Sequence, residues 1–298
     1  MLAEQRPESI EVKKVLGETY VNLGNFARAE AVFREIRGQE GYAALGDFLL
    51  GRLALTRNQA GQAGRLFEQA LQERPLFRAA MEGKVRALLQ QGQGKEALGF
   101  TRRLTHRHPD EAFVFQLAGR VALEADHRDL AENFLLKATS LEPRWPSPYY
   151  LLADVYLQAG RAEQAIEKFE QALQANPGDL RTAFLLGQLY QEQGRVQKAK
   201  DLYAAIVSDN PDFLPASNNL AFLIAENETD PDQLQKALEL AKKAAKTADP
   251  HMLDTLGWIY HKMGKKDLAL KYLRQAKEAA PDNPVILKHI DHVLGEKS

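Results

Sequence analysis

The chain has 298 residues and a formal net charge of −1, from 39 basic and 40 acidic side chains. This balance argues against general attraction to nucleic acid or an anionic membrane, although residues 44–109 hold 11 Lys/Arg against 5 Asp/Glu. The absence of cysteine excludes disulfides and thiolate chemistry, and it is compatible with either the cytoplasm or the periplasm. No run of about 18 apolar residues predicts a membrane span, and the polar start MLAEQRPES is not typical of a signal peptide.

Alanines and prolines recur along the chain at a fixed interval of 34 residues. The alanines are Ala29, Ala63, Ala97, Ala131, Ala165 and Ala199, and the prolines are Pro75, Pro109, Pro143, Pro177 and Pro211. A 34-residue period is the length of a helix–turn–helix unit, so the chain is predicted to be an array of such units. In these arrays each unit packs on its neighbours, and the stack presents an extended binding surface.

Each unit shows the same two-helix pattern. In the first helix a leucine and a small residue precede an aromatic residue, as in Leu186, Gly187 and Tyr190. In the second helix an apolar or aromatic residue follows the repeating alanine at i+4, as Tyr203 follows Ala199, so both lie on one helical face. A glycine between the helices is expected to adopt the left-handed conformation that ends a helix. These glycines are Gly24, Gly92, Gly160, Gly194 and Gly264.

The combined pattern resembles the tetratricopeptide repeat, which joins W-x2-L-G-x2-Y to A-x3-F and a closing proline. The resemblance covers about residues 10–283, in eight units that begin near residues 10, 44, 78, 112, 146, 180, 214 and 250. It implies an all-α fold, an α-solenoid of antiparallel helix pairs in a right-handed superhelix. It also implies that the first helix of each pair lines a concave groove.

The array departs from its pattern near its start and in its third unit. Pro7 lies two periods before Pro75, so residues 1–9 are expected to be the tail of a truncated preceding repeat, in a chain cut from a longer array. In the third unit Val85 replaces the small residue, Thr101 replaces the aromatic one and Leu104 a small one. These exchanges predict a looser or locally bent junction.

Two further departures lie near the end of the chain. The seventh unit gains about four residues around Glu226–Asp232, which predicts a longer turn between its helices. After Pro281, residues 284–298 are predicted to form a capping helix, because Asp291 stands where a small packing residue would accept another unit.

No motif in the chain indicates catalysis, a metal or a cofactor. His289 and His292 stand at i, i+3 on the last helix, but a third ligand is not obvious, so we interpret them as solvated residues. The stretch from Gly92 to Lys95 lacks the spacing and the Ser/Thr of a phosphate-binding loop. We therefore expect a protein that is not an enzyme and carries no cofactor.

Candidate partner-binding residues follow the small residue of each first helix, or precede that position by one turn. Three successive units place an arginine directly after the small residue or its replacement, and stacked units would align these side chains along the groove. The candidates are Arg52, Arg86, Arg120, Phe48, Tyr150, Phe184, Asn218 and Trp258. They predict a groove that binds protein or peptide segments with acidic and apolar residues. The alternatives are a Glu82–Arg86 helix pair and burial of Phe48 or Phe184 against a neighbouring helix.

The leading functional prediction is a protein–protein interaction scaffold. The segments NNLAFLIAE and LDTLGWIYHKMG resemble those of long bacterial repeat proteins of exopolysaccharide export and surface-protein sorting. The groove does not resemble the chaperone-tail clamp of the family, because Phe184 and Gln188 replace the required lysine and asparagine. Three alternatives stay open: a docking region of a larger enzyme, an RNA-binding helical repeat, and self-association through residues 10–43.

Overall fold

A computed structural model describes residues 9–295, and this part of the chain holds seventeen α-helices, one short 3-10 helix and no strand. The chain divides into two compact units, the first ending at Val155 and the second beginning at Tyr156. Within the described residues no helix is both long and apolar enough to cross a membrane. The predicted all-α array of helix pairs is confirmed. Pro7 and the end of the predicted capping segment lie outside the described residues.

The first unit contains four helix pairs in which consecutive helices contact one another. They are α1 (Ile10–Asn22), α2 (Phe26–Arg37), α3 (Ala43–Thr56), α4 (Ala60–Glu73), α5 (Arg78–Gln90), α6 (Gly94–Arg107), α7 (Ala112–Glu124) and α8 (Arg128–Leu141). The first helices also meet, since α3 contacts α5 and α5 contacts α7. Helix α9 (Pro146–Gln158) carries the boundary between the units.

The second unit continues the same pattern. Its helices are α10 (Ala162–Ala175), α11 (Leu180–Glu192), α12 (Val196–Asp209), α13 (Leu214–Asn227), α14 (Pro231–Ala244), α15 (Pro250–Lys262), α16 (Lys266–Ala279) and α17 (Pro284–Leu294). The 3-10 helix Ala245–Thr247 follows α14. Helix α17 packs on both α15 and α16.

In seven of the eight turns between paired helices one residue adopts the left-handed conformation, and in the seventh pair no residue of the turn 228–230 does. All five glycines predicted for this role have φ between 68° and 73°, in the left-handed region. In the second and fourth pairs Asn58 and Asp126 take the same place, with φ of 57° and 56°. Asparagine and aspartate tolerate this region better than other side chains do, so the turn is preserved without glycine.

Helices within a pair approach closely where the first helix carries glycine. A Cβ added to Gly187 would lie 2.5 Å from Cε1 of Tyr203, and one added to Gly51 would lie 2.8 Å from Cε1 of Phe67. The large side chain of the second helix therefore occupies the space that a side chain on the first helix would need. This complementarity positions the paired helices.

The third pair fills its interface with the sizes reversed. Helices α5 and α6 approach each other less closely than the paired helices on either side. The repeat register places Val85 opposite Thr101, and both are buried together with Leu104. The Thr101 hydroxyl donates to the Leu98 carbonyl at 3.1 Å, so its polar group is satisfied. The wider spacing is thus filled by Val85 rather than left as a gap.

The predicted longer turn in the seventh pair is wrong. The turn between α13 and α14 comprises residues 228–230, the same length as residues 193–195 between α11 and α12. The extra residues extend the helices instead, mostly at the start of α14, where Ala237 is the seventh residue. Asp230 caps this start by accepting from the Asp232 amide, and Pro231 suits the first helical position.

Candidate partner-binding site

Three arginines occupy equivalent positions on successive first helices of the first unit. Arg52 lies on α3, Arg86 on α5 and Arg120 on α7, each directly after the residue that packs on the paired helix. Arg52 and Arg86 are exposed and Arg120 is half-buried. We call these three side chains the arginine face. Their charges point away from the pair interfaces, so the packing of the repeats does not require them.

Two members of the arginine face pair with a carboxylate of the preceding repeat. Arg52 Nη1 lies 2.8 Å from Glu18 Oε1, and its guanidinium is 5.8 Å from the centre of the Phe48 ring. Arg120 Nη2 lies 3.3 Å from Glu82 Oε1. These pairs link neighbouring first helices across the surface of the stack.

Arg86 differs from the other two arginines. Among residues 9–295 no carboxylate oxygen lies within 4.0 Å of its guanidinium. The alternative that Glu82 pairs with Arg86 along α5 is wrong, because Glu82 pairs with Arg120 on the next first helix. The middle position of the arginine face therefore holds a cation without an acidic partner in the described part of the chain.

Two clefts lie side by side on this face. The first cleft, of about 310 Å³, is lined by Glu18, Val21, Asn22, Phe33, Leu49, Arg52, Leu53, Leu55, Thr56, Arg86 and Gln90. The second cleft, of about 510 Å³, is lined by Glu82, Val85, Arg86, Leu89, Gln90, Arg120 and Glu124. Arg86 and Gln90 belong to both, so they form the wall that separates the two clefts.

The predicted aromatic residues are partly used in packing. Phe48 lies 4.9 Å from Phe77 and 6.0 Å from Phe67, measured between ring centres. Phe184 makes the equivalent contacts in the second unit, 5.9 Å from Tyr203 and 5.2 Å from Phe213. Both rings are half-buried, as is Tyr150 on α9. Their roles in binding stay predictions.

Two other predicted site residues are buried rather than open to a groove. Asn218 is 8% exposed, and its Oδ1 has no hydrogen-bond partner among the described residues. Trp258 is 7% exposed, and its Nε1 donates to Glu226 Oε1 at 2.6 Å. Both side chains are thus enclosed by their neighbours, and a role of either in binding stays a prediction.

The interpretation of His289 as a solvated residue is wrong. Its side chain is 12% exposed, and its Nδ1 lies 2.9 Å from Asp254 Oδ1. The imidazole stacks on Trp258 with ring centres 4.2 Å apart. His292 is exposed, and the described residues contain no group of three or more side chains arranged to hold a metal ion.

The partners of the arginines were missed by reasoning from the sequence. Glu18 stands 34 residues before Arg52, so the repeat period itself contains the signal for that pair. Glu82 stands 38 residues before Arg120, which places it one helical turn away from the equivalent position. Comparing acids and bases one period apart identifies the first pair but not the second.

Comparisons with known proteins agree with this architecture. The tetratricopeptide repeat matches residues 54–121 and 156–221, and further forms of the same repeat match residues 15–35, 117–180 and 250–283. The TPR repeat-containing protein PA4667 of Pseudomonas aeruginosa is 30% identical over 168 residues. That match covers 55% of this chain, and the chain spans only 28% of the length of this relative.

Two solved structures have similar folds. The crystal structure of YrrB, described as a TPR protein with an unusual peptide-binding site, has a TM-score of 0.52 and 18% identity, and covers 63% of this chain and 96% of its own. The structure of Pseudomonas aeruginosa PilF has a TM-score of 0.50 and 19% identity, and covers 86% of this chain and 98% of its own. With the repeat matches along most of the sequence, the chain belongs to the tetratricopeptide repeat family.

Proposed function

We propose that the arginine face binds an extended segment of a partner protein. Tetratricopeptide repeats form protein–protein interaction scaffolds, and this chain has their fold. The observation that carries the proposal is the arrangement of Arg52, Arg86 and Arg120 on three successive first helices beside two adjoining clefts. A segment lying across these helices would meet a cation at each repeat and a cleft between repeats. We propose a non-enzymatic role for this face.

The ion pairs on the face do not prevent binding. The side chains of Arg52 and Glu18 are 52% and 36% exposed, so their pair is screened by water. Exposed ion pairs of this kind contribute roughly 0–1 kcal/mol. A carboxylate of a partner can therefore replace Glu18 or Glu82 at small cost, particularly where it accepts two hydrogen bonds from one guanidinium.

The proposal is tested by panning a random-peptide display library on the protein. Hydrogen–deuterium exchange then maps where the enriched peptides bind, and we expect protection in α3, α5 and α7. The variant Arg52→Ala/Arg86→Ala/Arg120→Ala should bind these peptides at least roughly tenfold more weakly, because charged hydrogen bonds are lost.

The matched control is Arg65→Ala/Arg102→Ala/Arg103→Ala, which removes the same charge from exposed positions on α4 and α6. This variant should bind as the unmodified protein does, with an unchanged circular dichroism spectrum for both variants. Equal binding by all three proteins, or protection confined to other helices, would show that the arginine face is not the site.

We also propose a cellular setting in bacterial envelope assembly or exopolysaccharide export. Support comes from the resemblance of NNLAFLIAE and LDTLGWIYHKMG to repeat proteins of those systems. The activity and partners of the whole protein stay proposals, because the chain spans 28% of its curated relative. Deleting the gene should lower secreted polysaccharide or assembled surface protein, and unchanged levels of both would count against this setting.

A further inference from the structure

We propose that the arginine face selects a segment with one acidic residue next to an apolar one, and that Arg86 holds the acid. This inference rests on the proposed function and names the partner's chemistry. Arg52 and Arg120 are each held by a carboxylate, whereas Arg86 has no carboxylate within 4.0 Å among residues 9–295. A partner's carboxylate at Arg86 therefore needs to displace no acid of the described part of the chain, so it binds there first.

The first cleft defines what lies beside that acid. Its lining includes three buried apolar side chains, Phe33, Leu49 and Leu53, and the charged side chains of Arg52, Arg86 and Glu18. A cavity of about 150 Å³ already holds a benzene molecule, and this cleft measures about 310 Å³. It therefore accommodates one aromatic or branched apolar side chain, whose burial supplies affinity while Arg86 supplies orientation.

The second cleft defines what the segment must lack. Besides Val85 and Leu89, it contains the carboxylates of Glu82 and Glu124. Glu82 is neutralised by Arg120 at 3.3 Å, whereas no basic group lies within 4.0 Å of Glu124 among the described residues. A second acid of the partner placed in this cleft would meet Glu124, and like charges repel. A segment with a run of acids is thus disfavoured relative to one with a single acid.

These three features give a specificity that net charge alone does not predict. The region around the arginine face is basic, which would favour any polyacidic peptide. The partner instead pairs one carboxylate with Arg86 and places an apolar side chain in the first cleft. An uncharged or basic residue then follows beside Glu124.

The test uses a fluorescein-labelled peptide taken from the panning, with four single-site derivatives. Replacing its acid by the amide, or its apolar anchor by serine, should each weaken binding by roughly tenfold or more. Adding a second acid on the side of the second cleft should weaken binding too, and Glu124→Gln should restore the affinity of that derivative.

The protein variants identify the arginine. Arg86→Gln should weaken binding of the parent peptide by roughly tenfold, whereas Arg103→Gln, an exposed arginine of α6, should leave it unchanged. Arg86→Glu should bind the derivative whose acid is replaced by lysine better than it binds the parent.

The outcomes separate this inference from the proposed function. Peptides that protect α3, α5 and α7 but bind Arg86→Gln normally, or that gain affinity with each added acid, would overturn the inference and leave the proposed function standing. Enriched peptides that protect none of these helices would overturn both.

Discussion

Gly187 illustrates how single residues control the spacing of the paired helices. Helix α11 lies so close to α12 that a Cβ at this position would be 2.5 Å from Tyr203 Cε1. The Tyr203 ring cannot retreat, because it is fully buried against Phe184 and its hydroxyl accepts a hydrogen bond from Asn219 Nδ2 at 3.1 Å. The same burial raises the pKa of Tyr203 to about 12, so the phenol stays neutral at physiological pH.

We expect Gly187→Ala to lower the free energy of unfolding by roughly 1–3 kcal/mol, the usual cost of overpacking. Gly187→Leu should destabilise the protein further, because a larger side chain would need to enter the same contact. Chemical denaturation followed by circular dichroism measures both. Gly178→Ala is the control, since an added Cβ there meets nothing within 4 Å. Equal stability of Gly187→Ala and the unmodified protein would disprove the close contact.

Helices α15 and α17 meet through a cluster of aromatic and histidine side chains. His289 stacks on Trp258, and His261 and His292 lie 5.0 Å and 5.3 Å from the indole between ring centres. Burial, reinforced by the neighbouring His292, lowers the pKa of His261 below its ordinary value near 6.5. The charged and titratable groups around His261 are Lys262, Lys266, His289 and His292, with Glu226 and Asp254 bound to the same cluster.

We expect this cluster to make the protein less stable in mild acid. The unfolded chain binds a proton at His261 at a higher pH than the folded chain does. The free energy of unfolding therefore falls as the pH drops below about 6.5, and the loss is complete below the lower pKa of the folded state. At neutral and alkaline pH His261 causes no loss of stability. The pKa of Glu226 is lowered by hydrogen bonds from Trp258 and Lys262 that outweigh its burial, so this carboxylate stays ionised throughout.

Urea unfolding at about pH 7.5 and about pH 5.5 measures the effect. The fluorescence of Trp258 reports on the cluster once Trp145, the other tryptophan, is replaced by phenylalanine. His261→Gln in this background should lose less stability between the two pH values than the parent does. An equal loss in both proteins would assign the acid sensitivity to other groups.

At the scale of the whole molecule, stability is distributed along the chain. Each helix contacts chiefly its neighbours in sequence and the adjacent first helix. The stability of a repeat array of this type is approximately the sum of the stabilities of its single repeats and of the interfaces between neighbouring repeats. A destabilised repeat should therefore open without unfolding distant ones.

We expect Gly187→Ala to accelerate amide hydrogen exchange in α11 and its neighbours α12 and α13. Exchange in α1 to α4 should stay as in the unmodified protein, because a repeat array transmits a local destabilisation chiefly to the nearest repeats. Hydrogen–deuterium exchange with mass spectrometry resolves these segments. Acceleration spread evenly over both units would indicate a single cooperative fold instead.

The repeat architecture was predictable from the sequence because its marks recur in phase. The turn glycines, such as Gly194, and the helix ends before proline follow from local backbone preferences. The location of the extra residues in the seventh pair could not be predicted in this way. Asp230 and Pro231 start α14 early, and the repeat period does not specify where a helix begins. The burial of His289 was hidden as well, since its partner Asp254 lies 35 residues away.

The candidate site was predictable only in part. The 34-residue spacing identified the arginines, since it isolates residues that packing does not need. It did not show that, of the three arginines, Arg86 is the one without an acidic partner among residues 9–295, because Glu82 could pair along its own helix or with the next one. Nor did it show that Trp258 is enclosed, since burial there depends on the angle at which α17 packs on α15.

The reversed sizes at Val85 and Thr101 limit how these repeats could be recombined. A second helix from another pair would bring a large residue, such as Phe67 or Tyr203, against Val85, and the two would collide. Glycine at position 85 with Thr101 retained would open a void instead. Both positions must therefore change together, so the third pair is inherited or grafted as one block. A designer who shuffles this array should cut between pairs and never between α5 and α6.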